Sequence, residues 1–390
     1  MSRREINPRS WFVVAVAVVG VVTLVAVALL WPSGDAGSEL ELGSRTESES
    51  GVIERIELKE CAVPIEDATC REAGVRIESG PEEGSVVPVD VTSRSQDTVF
   101  GVGDTVKVAS TQTAAGEPTY SIIDFERKSP LILLTIAFAL LVIFFGRLRG
   151  AMSLVGLAAS LAVVLVFIIP AILDHQPPLA VALAGSMAVM LITIFLAHGT
   201  GPKSIAAILG TTVSLLLVGL LAVIFTQAAN LTGFSSEEAS LLSAGDAGIS
   251  ISGLVVAGII IGALGVLDDV TISQASTVLA LKAANPKQGV RQLYRRAIDV
   301  GRDHVSATVN TLVLAYVGSS LPVLLILGSG QFGLGSAVNM EIVAKEIVAT
   351  LVGSIGLIAA VPITTVIAAL LARTMSRGEL AEAAAHGHHH

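Results

Sequence analysis

Eight stretches of the chain are apolar almost without interruption: residues 11–31, 130–146, 151–173, 178–197, 204–226, 251–267, 305–328 and 346–372. A helix needs about 20 apolar residues to cross a bilayer, and each stretch is long enough once tilt is allowed for. Apolar residues at every position, rather than at alternate ones, exclude a transmembrane β-barrel. Between the first two stretches the pattern changes. Short alternating segments rich in Val and Ile appear at Val52–Leu58, Val75–Glu78, Val86–Val91, Val99–Val108 and Thr119–Phe125, separated by Gly, Pro, Asp and Ser. That period marks antiparallel strands, and Gly103-Asp104 reads as a turn feeding one of them. The pattern predicts a polytopic α-helical membrane protein of about eight transmembrane helices with a small extracytoplasmic β-domain. Five short strands fit a barrel of the OB type.

Composition supports this map. Hydrophobic residues make up 52% of the 390 positions and charged residues 15%, against roughly 25% charged in a soluble domain. An ordinary soluble enzyme, a disordered chain and a nucleic-acid binder are thereby excluded. The first stretch follows Arg3, Arg4 and Arg9, as a signal peptide would. However, its apolar length exceeds a normal signal core, and no A-x-A site follows Trp31-Pro32. It reads as a retained anchor.

Lys and Arg set the orientation. With the N-terminus inside, the inner loops hold Arg147, Arg149, Lys203, Lys282, Lys287, Arg291, Arg295, Arg296, Arg302, Arg373 and Arg377, while the outer loops 174–177, 227–250 and 329–344 hold no Lys or Arg. The expected division is a cytoplasmic N-terminus (1–10), an anchor (11–31), a linker (32–51) and an extracytoplasmic β-domain (52–129). Spans two to six follow (130–269), then cytoplasmic amphipathic helices broken at Asn285-Pro286 (270–303), spans seven and eight (304–372) and a cytoplasmic tail (373–390). The His run at its end is set aside as a tag remnant or metal-binding tail.

Residues 32–129 carry 20 Asp and Glu against 9 Lys and Arg, a net of −11. Such an acidic domain is unsuited to nucleic acid. Cys61 and Cys70, eight residues apart, are expected to form a disulfide on the oxidising side of the membrane. This domain has no His to complete a metal site.

Candidate chemistry concentrates in the sixth stretch. Ionisable residues at membrane depth are costly and point to function, and Asp268 and Asp269 follow seventeen uncharged residues, Ile251 to Leu267. Neighbours on a helix lie about 100° apart, so one carboxylate is expected to face the bundle and the other an aqueous vestibule. The competing reading is a hydrated helix end. Thr271 and Gln274 would add oxygen ligands for a hard cation, and Asn310 and Thr311 in the seventh stretch would hydrogen-bond across to the sixth. His304 has a pKa suited to a relay, although an interfacial His is more often solvated. Gly258, Gly262 and Gly265 would let neighbouring helices approach closely. No cofactor motif is present, and neither a Walker motif nor a hydrolase signature appears, so the chain is not read as an enzyme.

One anchor, a small β-domain, a multi-span core and the string Gly-Ala-Leu-Gly-Val-Leu-Asp-Asp-Val-Thr-Ile-Ser-Gln-Ala at 262–275 resemble the YibE/F family of bacterial membrane proteins. The resemblance covers most of residues 52–372 and implies a plasma-membrane location. A more distant likeness, through the glycine-rich span, its acidic residue and Thr-Val-Asn-Thr-Leu at 308–312, is to the proton-driven SecD/SecF and RND-type proteins. The chain departs from their pattern in the number of spans beside the external domain. Two functions follow as expectations. One is a secondary transporter, moving protons or another cation through Asp268 and Asp269. The other is a non-transporting envelope scaffold whose external domain docks a protein partner. The lipid bilayer is a partner in both, and a homo-oligomer is compatible with either.

Overall fold

The computed structural model describes residues 8–33, 48–58, 68–94, 100–112, 118–235, 239, 241–242, 248–328, 333–376 and 378–380. The chain divides into two compact units, one of residues 41–144 and one combining 1–40 with 145–390.

Among its described residues the smaller unit holds five strands: β1 (Ser48–Leu58), β2 (Ala68–Ile77), β3 (Val86–Arg94), β4 (Thr105–Gln112) and β5 (Pro118–Phe125). They form one antiparallel sheet in the order β3-β2-β1-β4-β5. Alternation drives it. Ile53, Val75, Ile77, Val87, Val89, Val106 and Val108 turn to one side and are buried together. The two outer strands, β3 and β5, approach each other without pairing, so the sheet curls. β1 takes in the last four residues of the expected linker, because Ser48, Glu49, Ser50 and Gly51 pair through their backbones with Ala109, Val108, Lys107 and Val106. A backbone ladder does not require apolar side chains. Gly103, at φ 94°, makes the expected turn before β4 and donates its N–H to Ile53 O.

Among the described residues there are ten helices: α1 (Pro8–Leu29), α2 (Lys128–Val163), α3 (Ile169–Leu173), α4 (Pro178–His198), α5 (Pro202–Ala228), α6 (Ile251–Ala284), α7 (Val290–Ser319), α8 (Leu321–Gly328), α9 (Leu334–Asn339) and α10 (Glu341–Arg373). A π-helical turn, Val164–Ile168, joins α2 to α3 just before Pro170. Proline lacks an N–H and crowds the carbonyl four residues back, which favours such a widened turn.

Among the described residues, six helical segments are long and apolar enough to cross a membrane: Ser10–Leu29, Lys128–Leu173, Pro178–His198, Pro202–Ala228, Ile251–Ala284 and Glu341–Arg373. Eight were expected from the apolar stretches. The second and third stretches join in one 46-residue run, broken in helical geometry at Arg147 (φ 51°, ψ −133°). The seventh is divided between α7, whose first half is polar, and the short α8.

In the larger unit α5, α6 and α10 pack on one another, α4 lies against α6, and α7 lies against α6 and α10. Their shared core includes Met190, Ile208, Leu215, Ile260, Leu267, Leu279 and Leu371. α1 packs on α4 and α5. Its end is fixed by Trp31 stacked on Phe167 with ring centroids 5.9 Å apart, and by Ser33, whose N–H and hydroxyl both donate to Asp174. Those two bonds hold the Asp174 carboxyl below its usual range.

The helix break expected at Asn285-Pro286 bears on the sixth stretch. That stretch does not end at Leu267 but continues as α6 to Ala284, and the turn at Asn285–Gly289 separates it from α7. Residues 270–284, expected as an amphipathic helix, thus continue the same helix as the sixth stretch. Val270, Thr271, Ile272, Gln274, Ala275, Val278 and Leu279 keep one side of it buried.

Candidate functional site

The extension of α6 places Asp268 and Asp269 in the middle of a 34-residue helix rather than at its end. The two side chains diverge. Asp269 is exposed and Asp268 is half-buried against α4. Asp268 Oδ2 accepts a hydrogen bond from Thr193 Oγ1 at 2.9 Å. Its other oxygen, Oδ1, is buried and has no hydrogen-bond partner among the described residues.

Asp268 begins a polar stripe at three-residue spacing, 268, 271 and 274, which turns by about 60° at each step along a helix. Each member therefore meets a different neighbour. Thr271, fully buried, lies 2.6 Å from Thr211 Oγ1 on α5 and donates toward the Asp268 carbonyl at 3.1 Å. Gln274, 5% exposed, donates to Ala297 O on α7 at 3.0 Å and to Thr365 Oγ1 on α10 at 2.7 Å. Thr365 in turn donates to Val361 O at 2.6 Å. Next to it on α10, the Thr364 hydroxyl is buried without a partner among the described residues, pressed against Gly210 of α5. A seam of hydroxyls and one carboxamide thus runs through the bundle, with the Asp268 carboxylate at one end.

Close helix approach occurs at other glycines than those expected. Gly258 and Gly265 face open space, and Gly262 faces only Tyr316 Oη; a Cβ there would lie 3.2 Å from it. Tight contacts occur instead at Gly185 against Ile168, at Gly356 against Val218, at Gly210 against Thr364, and at Gly301, where a Cβ would meet Val361 at 2.6 Å and Gln274 Oε1 at 2.8 Å. Gly301 is what lets α7 come close enough for Gln274 to reach Ala297.

Asn310 and Thr311 are not brought to the seam. Both are exposed on α7, and the Thr311 hydroxyl bonds to Ala307 O of its own helix. The packed face of α7 is instead Leu293, Ala297, Gly301 and Leu312. His304 is also exposed. Cys61 lies outside the described residues, and with it the expected pairing; Cys70 lies on β2 opposite Thr92. Among the described residues no three His, Cys, Asp or Glu side chains gather as a metal site.

The sequence reading missed Thr193, Thr211, Thr364 and Thr365. Their signal was present but faint: each is a hydroxyl in an apolar run, and hydroxyls are cheap in helices because they bond to their own preceding carbonyls.

Residues 134–374 match the family described as YibE/F-like protein. The match takes in the whole helical bundle from α4 to α10 and includes every residue of the seam. The chain belongs to the YibE/F-like family. Neither the curated proteins nor the solved structures gave a match.

Proposed function

We propose that the chain is a secondary transporter coupled to a proton or another cation, in which Asp268 takes up and releases the ion. The observation that carries this reading is the pair of unequal oxygens on Asp268: one held by Thr193, the other buried without a partner among the described residues. A buried carboxylate with an empty acceptor position is costly in a membrane bundle, and a proton or cation relieves the cost. Asp269, adjacent and exposed, passes the ion between Asp268 and solution. Thr271 and Gln274 are positioning residues; their hydroxyl and amide partners tie α6 to α5, α7 and α10, so a charge change on Asp268 is felt at three helix contacts. Asn310 and Thr311 have no part in this site. The chemistry is transport rather than catalysis.

The membrane arrangement belongs to the same proposal. A straight run of 46 residues would be about 69 Å long, more than twice the roughly 30 Å hydrocarbon core. The break at Arg147 therefore supports two crossings there, and the apolar end of α7 with α8 supports one more, eight in all. An even number agrees with the basic inner loops, which place both termini in the cytoplasm and the β-domain outside a bacterial plasma membrane. The OB-type reading of that domain is supported by its strand order and by the approach of β3 to β5.

The test is ion flux in vesicles reconstituted with the full-length chain and loaded with a pH-sensitive dye, under imposed proton and sodium gradients. Wild type is expected to dissipate one of them, and Asp268→Asn to abolish that flux while inserting and melting normally. Full flux in Asp268→Asn would remove Asp268 from the mechanism.

A further inference from the structure

At the end of the bundle where α6 gives way to α7 lies a cavity of about 290 Å³, one helical turn beyond the Gln274 end of the seam and unused by the proposed transport. Its lining includes Lys282, Gln288, Gly289, Leu293, Ala369 and Arg373. We propose that this cavity binds a phosphate group, held by Lys282, Arg373 and the N-terminus of α7, with Gln288 receiving a hydroxyl carried beside it.

Three independent features support the assignment. The first is charge: two basic side chains line the cavity and no acidic one does. Lys282 is fixed in place, because its ammonium donates to Pro286 O at 2.9 Å and to Gln288 O at 2.7 Å. These two bonds use two of its three protons. The second is the start of α7. This 30-residue helix begins at Val290 behind Gly289, and no side chain caps it. The first-turn N–H groups of a helix have no partner within it, and they carry the positive end of its dipole. Together these make a ready anion site.

The third feature is Gln288. It is only 4% exposed, lines the cavity, and its Oε1 has no hydrogen-bond partner among the described residues. A buried amide oxygen left without a donor is costly, so such groups are normally satisfied. An anion alone does not satisfy it, whereas a phosphate with an O–H nearby does both tasks. That O–H is the acid proton of a singly protonated phosphate or a hydroxyl of an attached glycerol. Tetrahedral geometry suits the site better than a planar carboxylate, since the donors come from three separate elements: the ends of α6 and α10 and the start of α7.

Two sources present this chemistry, a phospholipid headgroup at the membrane surface and a soluble phosphate. Basic pockets between helices at a membrane surface are known headgroup sites in general. The experiment separates the two. The full-length chain in neutral detergent is melted with increasing inorganic phosphate, against potassium chloride at matched ionic strength. In parallel, native mass spectrometry counts bound phosphatidylglycerol against a diacylglycerol with the same acyl chains. A phosphate-dependent rise in melting temperature marks a soluble source, selective retention of phosphatidylglycerol marks a lipid source, and either supports the site. Arg373→Gln, at an exposed position, should weaken binding at least tenfold without altering the fold. Arg373→Lys should retain most of it, and Lys282→Gln should weaken it further. If neither ligand acts on the wild type, or if Arg373→Gln binds as the wild type does, the proposal is wrong.

Discussion

Thr193 on α4 donates its hydroxyl to Asp268 on α6 across 2.9 Å. The same oxygen lies 3.0 Å from Val189 O and 3.1 Å from Met190 O, so its single proton has the carboxylate and two helix carbonyls to choose among. The hydroxyl can serve Asp268 when that group is charged and return to its own helix when it is not. Such a two-position donor lowers the cost of either state.

Under the proposed transport function, Thr193 is therefore expected to affect flux without being required for folding. Thr193→Val keeps the shape and removes the donor. Hydrogen bonds to charged groups contribute about 1.5–3 kcal/mol, so coupled flux should fall roughly tenfold or more. Thr193→Ser should recover most of it. Equal flux in all three proteins would mean that the bond has no part in the ion's path.

The β-domain carries its own pH response. Glu126 is bound by Lys107 at 2.9 Å and by the Ser50 hydroxyl at 2.8 Å; Lys107 first and Ser50 second pull its pKa down to about 2. A depressed carboxylate stabilises the fold above its unfolded pKa, about 4.3, and loses that contribution as pH falls toward 2. At the other limit, the Tyr120 hydroxyl donates to Glu82, and that bond raises its pKa to about 12. Its contribution is present below pH 10 and is lost as pH rises through 12. Hydrogen-exchange protection in β1 and β4, corrected for intrinsic rates, should decline between about pH 4.5 and 2 in the wild type. Glu126→Gln should flatten that decline. An unchanged acid limb in the variant would show that other carboxylates govern it.

Much of the fold is legible in the chain because its two periods differ so plainly. Continuous apolar runs became α1, α4, α5, α6 and α10, and alternating Val and Ile became β1 to β5. Boundaries were less legible. α6 outlasts its apolar run because residues 270–284 bury only one side, a pattern that also describes a surface helix. Asp268 was legible because a charge stands out in an apolar run, whereas its partner Thr193 was not. Threonine is unremarkable in a span, and only the packing of α4 on α6 gives it a role. Asn310 and Thr311 looked like partners for the opposite reason. Their polarity drew attention, but the packing face of α7 is set by Ala297, Gly301 and Leu312, and they fall outside it.

Topology and the disulfide can be read together by labelling. Ser85 follows the β2–β3 turn and is exposed, and Lys287 is exposed in the turn after α6. The charge asymmetry puts the first outside and the second inside. In intact cells an impermeant maleimide should label Ser85→Cys, and should reach Lys287→Cys only after permeabilisation. The native cysteines should stay unlabelled until reduced, and an unreduced digest should contain the peptides of Cys61 and Cys70 joined, as expected in an oxidising compartment. The reverse labelling order would overturn the topology, and two thiols reactive before reduction would dispose of the bridge.

Glycines offer the sharpest test of how the bundle is assembled, because the sequence and the structure nominate different ones. Small-xxx-small spacing singles out Gly258 and Gly262 as contact points, yet Gly258 and Gly265 have nothing within 4 Å of an added Cβ. At Gly301 the added carbon would meet Val361 at 2.6 Å and Gln274 at 2.8 Å. At Gly210 it would run into Thr364, backbone included, with the Thr364 Cα at 3.3 Å. Overfilling a packed core costs about 1–3 kcal/mol, and at Gly301 it would also displace Gln274 from Ala297 and Thr365. Alanine in place of glycine favours the helix by about 1 kcal/mol where there is room. Gly258→Ala and Gly265→Ala are thus expected to melt at or above the wild-type temperature in detergent, while Gly301→Ala and Gly210→Ala melt several degrees lower. Gln274→Ala should relieve part of the Gly301→Ala penalty, since the two side chains compete for one space. If Gly265→Ala is instead the damaging change, the exposed face of α6 is a contact surface in the assembled protein, and the packing centre lies there rather than at the seam.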